Sequence, residues 1–229
     1  MNYAILLSGG TGTRIRSDIP KQYLRLGPHM MVTLSLKALL DCDDIDLVFV
    51  VCDRSWRDAI EDDAKTAGLD IKRIEGFADP GMNRQGSILN GMKKIFDCCG
   101  DGTDADTVLV HDAARPFVSV SLLKACYSAI PGHDGVMPVL PMKDTVYMSE
   151  DGVSVSSLLD RKKIFAGQAP ELFLLKKYYD ANTALSFDDI QKINGASEPA
   201  ILSGMDIAMI PGDEANFKVT TDADLARLQ

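Results

Sequence analysis

The segment Ser8-Gly9-Gly10-Thr11-Gly12-Thr13-Arg14 is the first place in the chain where residue type and spacing could do chemistry. Glycines let backbone N–H groups approach phosphate oxygens closely, and a helix starting beyond them would add its positive end. Two common phosphate motifs are absent. No Gly-Lys-Ser/Thr closes the loop, as a P-loop requires, and Ile15 stands where a dinucleotide fingerprint needs its third glycine. The glycines alone fit a phosphate cradle or a plain tight turn. Arg14 and then Pro20-Lys21-Gln22 shift the balance, because two cations beside a glycine loop suit a triphosphate. The plainer alternative for Lys21 is a solvated surface lysine.

A second constellation is His111-Asp112-Ala113-Ala114-Arg115-Pro116, which follows an apolar run. Open α/β sheets place ligands at such strand ends. Asp112 and Arg115 could bind a metal or substrate, or could merely cap a turn and pair with each other. His111 and His133 have no partner suggested by spacing and read as structural. Trp56, Tyr178 and Tyr179 fall at helical spacing and read as packing residues.

The elements that must position these residues follow from periodicity. Residues 3–7, 47–51 and 107–110 are short, wholly apolar runs, the pattern of strands buried on both faces; residues 71–74 suggest another. Between them, residues 32–40, 56–67, 87–96 and 121–130 have helical spacing. This alternation predicts a largely parallel sheet covered on both sides. The rhythm breaks after Gly135. Residues 136–140 look like a strand, and 145–148 and 153–156 flank Ser149-Glu150-Asp151-Gly152, a hairpin signal. A helix over 172–185, a strand over 207–210 and a closing helix over 222–228 complete the reading. The expectation is one α/β domain over residues 1–229 with a β-arm at about 139–158.

The bulk properties set limits. The chain has 229 residues, and its formal net charge of -9 argues against broad binding to nucleic acid or anionic membranes. An acidic protein that handles anions must concentrate its cations locally. The five cysteines form no CxxC pair and only three histidines are present, which argues against zinc and suits reduced thiols. The apolar N-terminal run lacks a basic flank, and no stretch approaches the ~20 apolar residues that span a bilayer. The expected location is the cytoplasm.

Taken in order, these motifs resemble the 2-C-methyl-D-erythritol 4-phosphate cytidylyltransferases and their ribitol-5-phosphate relatives. The resemblance runs through the Gly9-to-Arg14 loop, Pro20-Lys21-Gln22-Tyr23-Leu24, Arg84 and Ser87, and His111 to Pro116. It continues through Asp144-Thr145, Arg161 and Gln168-Ala169-Pro170, and closes with Asn216-Phe217-Lys218-Val219-Thr220 and Asp224-Leu225. It implies a Rossmann-like nucleotidyltransferase fold, a mostly parallel sheet with a protruding β-arm that completes a neighbouring subunit's site in a homodimer. It also implies a reaction of CTP with a polyol phosphate, giving a CDP-polyol and pyrophosphate, with Mg²⁺ carried on the CTP phosphates rather than in a protein metal site.

By the same resemblance, Ser8, Gly9, Gly10, Thr11, Gly12, Thr13, Gly81, Asn83, Ser87 and Ala113 would bind CTP. Arg14, Lys21 and Lys218 would act in catalysis, and Asp112, Arg115, Thr145 and Arg161 would hold the polyol phosphate. Two departures touch the acceptor side. The family usually reads Gln-Thr-Pro-Gln where this chain has Gln168-Ala169-Pro170-Glu171, and it carries an acidic Thr-Asp pattern that is missing near Ile193-Asn194-Gly195-Ala196. Glu171 would repel a phosphate if it faced the site. Methylerythritol phosphate is the preferred acceptor, on the His111-to-Pro116 motif, with ribitol 5-phosphate the alternative. A sugar-1-phosphate nucleotidyltransferase fits Pro20-Lys21-Gln22 and residues 216–220 less well. A non-catalytic nucleotide-binding homologue need not keep Arg14, Lys21 and Lys218 together.

Overall fold

The computed structural model describes residues 1–10 and 19–226. In chain order the strands are β1 (Asn2–Leu7), β2 (Arg25–Leu26), β3 (His29–Met30), β4 (Leu47–Val51), β5 (Ile74–Ala78) and β6 (Thr107–Asp112). They continue with β7 (Gly135–Pro141), β8 (Val146–Met148), β9 (Ser157–Leu159), β10 (Phe165–Gly167), β11 (Glu171–Leu174) and β12 (Ile207–Pro211). The helices are α1 (Met31–Leu40), α2 (Arg57–Thr66), α3 (Arg84–Cys99), α4 (Val120–Ala129), α5 (Leu175–Thr183), α6 (Phe187–Lys192), α7 (Glu198–Leu202) and α8 (Asp222–Ala226).

The main sheet runs β10-β7-β11-β6-β1-β4-β5, with β12 also on β7. Its β6-β1-β4-β5 part is parallel, and β11 enters antiparallel between β6 and β7. Side chains alternate across a strand, so a strand covered on both faces must be apolar throughout. Ala4 and Leu6 enter one core cluster with residues of α1, α2 and α4, whereas Tyr3 and Ile5 enter the other with residues of α3 and α5. Val48 and Val50 against Phe49 and Val51 repeat the division in β4. Gly91 of α3 lies against Ile5, where an added Cβ would fall 2.9 Å from the Ile5 side chain. That close approach seats α3 on β1 and fixes where its N-terminus opens.

Three expectations are corrected. Residues 71–74 are mostly a 3₁₀ turn, Ile71–Arg73, because the Asp70 carboxylate accepts from the Lys72 N–H; the strand starts at Ile74. The 172–185 segment is not all helix. Leu172 and Phe173 are fully buried as β11, and the helix starts at Leu175. Helical spacing and a buried strand leading into a helix are hard to separate in a short apolar run. In the arm, β8 pairs with β9 rather than with 153–156. Asp151 takes the N–H groups of Val153 and Ser154, so that stretch turns instead of joining the ladder. Among the described residues no helix is long and apolar enough to cross a membrane.

Candidate active site

The parallel register gathers one edge of the sheet. Leu7 at the end of β1 lies opposite both Val51 and Asp112, and Val51 lies opposite Ala78. Four strand ends therefore open on the same side, as expected for ligand sites in open α/β sheets. A cleft of about 370 Å³ sits there, between the loops after β1 and β5, the end of β6 and the Lys218 segment.

Two glycines are required by contact rather than by turn geometry. A Cβ on Gly9 would fall 2.6 Å from the Pro80 ring, and one on Gly81 would fall 2.3 Å from the Gly86 backbone. The first loop meets the second with no room for a side chain. Gln22 Nε2 donates to the carbonyls of Ser8 and Gly10, each at 2.7 Å, and Tyr23 Oη donates to Ser8 O at 2.7 Å. These bonds occupy carbonyl oxygens that would otherwise repel a phosphate. Across the cleft, Asn83 caps α3 by accepting from Gly86 N–H at 2.8 Å. Ser87 Oγ accepts from Gly81 N–H at 3.0 Å and donates to Asn83 O at 2.9 Å.

The wall of the cleft is ionic. Asp112 is 7% exposed and receives Arg84 Nε at 3.1 Å on one oxygen and Lys218 Nζ at 2.8 Å on the other. Burial pushes its carboxyl up, but Arg84 and Lys218 outweigh burial and hold it well below the usual carboxylate range. Arg84 Nη2 also lies 3.6 Å from Glu171. Lys218 is held in place by its neighbours: Arg115 Nη1 donates to Asn216 O at 2.6 Å, Asn216 Nδ2 to Ala169 O at 2.7 Å, and Val219 N–H to Ala114 O at 2.8 Å. His111 is fully buried, and burial pushes its imidazolium down to about 4, so it is neutral at neutral pH. Its Nε2 lies 3.2 Å from Arg115 O, a structural contact in keeping with the sequence reading.

The structure brings Gly9, Gly10, Lys21, Gly81, Asn83, Ser87, Asp112 and Lys218 together around this cleft. Thr11, Gly12, Thr13 and Arg14 lie outside the described residues. Ser8 and Ala113 do not line the cleft. Ser8 is 1% exposed and bonded to Tyr23, and Ala113 is packed in the core, donating its N–H to Leu7 O; Ala114 lines the cleft instead. Ala113 and Ala114 form the turn after β6, closed by Arg115 N–H on Asp112 O, and the motif alone did not show which faced out. Arg115 clamps the Lys218 segment rather than lining the cleft. Thr145 and Arg161 are exposed near the feet of the arm, Arg161 donating to Lys143 O at 2.7 Å, and neither lines this cleft. Glu171 is buried behind Arg84 and does not face the opening. Sequence reasoning assigned no role to Arg84, Gln22, Met82 or Ala114, all of which line the cleft. The signal for Arg84 was its place one residue after Asn83, at the opening turn of α3.

Comparison with known proteins gives the family and the fold. The family model described as "IspD: 2-C-methyl-D-erythritol 4-phosphate cytidylyltransferase" matches residues 3–229. The chain is 32% identical to the 2-C-methyl-D-erythritol 4-phosphate cytidylyltransferase of Thermotoga neapolitana, covering 100% of this chain and 96% of that protein. It is 30% identical to the ribitol-5-phosphate cytidylyltransferase of Streptococcus pneumoniae, covering 98% and 96%. It is 33% identical to the bifunctional enzyme IspD/IspF of Maricaulis maris, but spans only 56% of that protein's length. Among solved structures, the Francisella tularensis 2-C-methyl-D-erythritol 4-phosphate cytidylyltransferase superposes with a TM-score of 0.80 at 23% identity, covering 99% of this chain and 97% of that one.

The Asp112 ion pairs carry a pH signature. A carboxylate whose pKa is depressed by folding stabilises above its unfolded value, about 3.9, and loses that contribution as pH falls toward the folded value. Asp112→Asn should cost about 2 kcal/mol at neutral pH, by leaving two cations without their anion. It should also flatten the wild-type loss of stability below roughly pH 4. Urea denaturation across pH checks both; parallel wild-type and variant curves would show that Asp112 is not the anchor.

Proposed function

The chain belongs to the 2-C-methyl-D-erythritol 4-phosphate cytidylyltransferase family, and from that membership we propose that it transfers CMP from CTP to a small polyol phosphate. A phosphate oxygen of the acceptor attacks the α-phosphorus in line, the bond to the β-phosphate oxygen breaks, and CDP-polyol and pyrophosphate form. The observation that carries the reading is the cleft itself, where glycine loops, Lys21, Arg84 and Lys218 meet at strand ends in a chain of net charge -9. Such a reaction needs no protein nucleophile. Positioning and preorganised charge supply most of phosphoryl-transfer catalysis.

In this reading the glycine loop and Lys21 take the triphosphate, together with Arg14 by the resemblance. Lys218 turns from Asp112 to the phosphates, while Gly81, Asn83 and Ser87 border the place for cytosine and ribose. Among the described residues no group of three or more His, Cys, Asp or Glu could hold a metal ion, and Asp112 is already engaged by two cations. By the resemblance, a magnesium ion would ride on the CTP phosphates and neutralise charge as pyrophosphate leaves. Methylerythritol phosphate is the preferred acceptor. Ribitol 5-phosphate is the second reading, supported by the 30% identity to the ribitol-5-phosphate cytidylyltransferase of Streptococcus pneumoniae and kept open by the departure at Ala169.

The proposal extends to assembly. The arm exposes Tyr147, Met148, Val153, Val155 and Leu158, apolar groups that a second copy of the chain would cover. Thr145 and Arg161 would then serve the acceptor site of the neighbouring subunit. The working location is the cytoplasm, with small-molecule substrates and no nucleic-acid or membrane partner.

Three measurements test this reading. Pyrophosphate release should be far faster with CTP than with ATP, GTP or UTP, and assays with the two polyol phosphates choose the acceptor; equal use of UTP would move the chain to sugar-nucleotide chemistry. Lys21→Ala should lower kcat by about 10²-fold or more, whereas Arg161→Ala should act mainly on KM for the acceptor. Near wild-type kcat for Lys21→Ala would remove it from catalysis. Deleting the arm tip should yield monomers with weakened activity, read by sedimentation and turnover, and a fully active dimer would refute the arm's role.

A further inference from the structure

Glu171 is the first residue of β11 and lies opposite Val110 of β6, two residues before Asp112. The antiparallel insertion of β11 thus sets a second carboxylate beside the first. Arg84 reaches both, with Nε 3.1 Å from Asp112 and Nη2 3.6 Å from Glu171, whereas Lys218 meets Asp112 alone. Glu171 is buried at 7% exposure and does not line the cleft. It faces Arg84 of α3, Asp112 of β6, Arg115 beyond β6 and Tyr178 of α5, with Ser197 beside it.

The charge count of the wall follows. The four groups joined by ion pairs, Arg84, Lys218, Asp112 and Glu171, sum to zero charge when both acids are ionised, with Arg115 behind them. A glutamine at position 171, which the resemblance makes usual there, would leave the same wall with a net positive charge. We propose that Glu171 is a positioning residue that, acting through Arg84, keeps Arg84 fixed and lowers the anion affinity of the cleft wall, so that Lys218 is the cation that moves to the substrate. Burial pushes the Glu171 carboxyl up, against the opposing pull of Arg84, so the brake weakens as falling pH protonates it. The identity of the anion rests on the cytidylyltransferase reading; the electrostatic role does not.

Calorimetric titration with inorganic sulfate tests it, because the charge of sulfate is constant over roughly pH 5 to 8 and any trend belongs to the protein. Wild type should bind sulfate more tightly toward the acid end. Glu171→Gln should bind about three- to tenfold more tightly than wild type near the basic end, the ratio closing toward unity as pH falls. Glu171→Asp, which keeps the charge, should follow wild type. Melting curves establish that the variants are folded, and the wild-type trend alone still decides if they are not. Equal affinities at the basic end, weaker binding by Glu171→Gln, or a ratio indifferent to pH overturns the role of Glu171. Parallel titration with CTP separates the two readings. Sulfate behaving as expected while CTP fails to bind would refute the nucleotide assignment and leave Glu171 in place.

Discussion

Asp112 ends the most deeply buried strand of the sheet, and its carboxylate must find cations there or give up its charge. It finds Arg84 from the start of α3 and Lys218 from the C-terminal segment. Those two elements lie far from β6 in sequence, and this ion triad sets their spacing across the cleft. The arrangement also explains why Asn216, Arg115 and Ala169 are tied into one another: a lysine can serve a buried carboxylate only if its backbone is held. Removing one partner of such a set is costly because the others are left desolvated. The cleft's shape therefore depends on a charge balance as much as on packing.

The parallel half of the fold was legible because its physics is local. A strand buried on both faces must be apolar at every position, and residues 3–7, 47–51 and 107–110 state that directly. The β11 strand was not legible, since Leu172 and Phe173 satisfy a helix pattern equally well and only their neighbours β6 and β7 decide. The same limit applied at the site. The glycines and Lys21 could be found by type and spacing, and the resemblance added Lys218. Which of Ala113 and Ala114 faces the ligand depends on the phase of the chain beyond β6. Glu171 read as a threat to phosphate binding because its partner Arg84 comes from a different part of the chain.

The electrostatic design reconciles an acidic protein with anionic ligands. The formal charge of -9 would repel a triphosphate at long range, although screening limits that effect to about 10 Å or less. Inside the cleft, Arg84 and Lys218 are already engaged before any ligand arrives. An anion that takes Lys218 would exchange one anionic partner for another rather than meet a bare cation. The free energy of that exchange is a difference between two ion pairings. Its dependence on ionic strength should be shallower than a count of cations suggests, because a competing salt anion must also displace Asp112.

The arm leaves the sheet at Pro141 and returns at Phe165, and those two residues are paired with each other in the ladder. Met142 N–H adds a bond to Ile164 O at 3.3 Å just above the junction. The excursion is therefore closed at its root, and the entropy of closing it is met by the sheet rather than by the tip. Loop-closure entropy grows only logarithmically with length, so residues can be gained or lost at the tip for a small thermodynamic penalty. The tip loop is organised by Asp151 through its own neighbours Ser149, Val153 and Ser154, without help from the body of the protein. The length and sequence of the tip are thereby uncoupled from the sheet that carries the cleft, so a change at one leaves the geometry of the other intact.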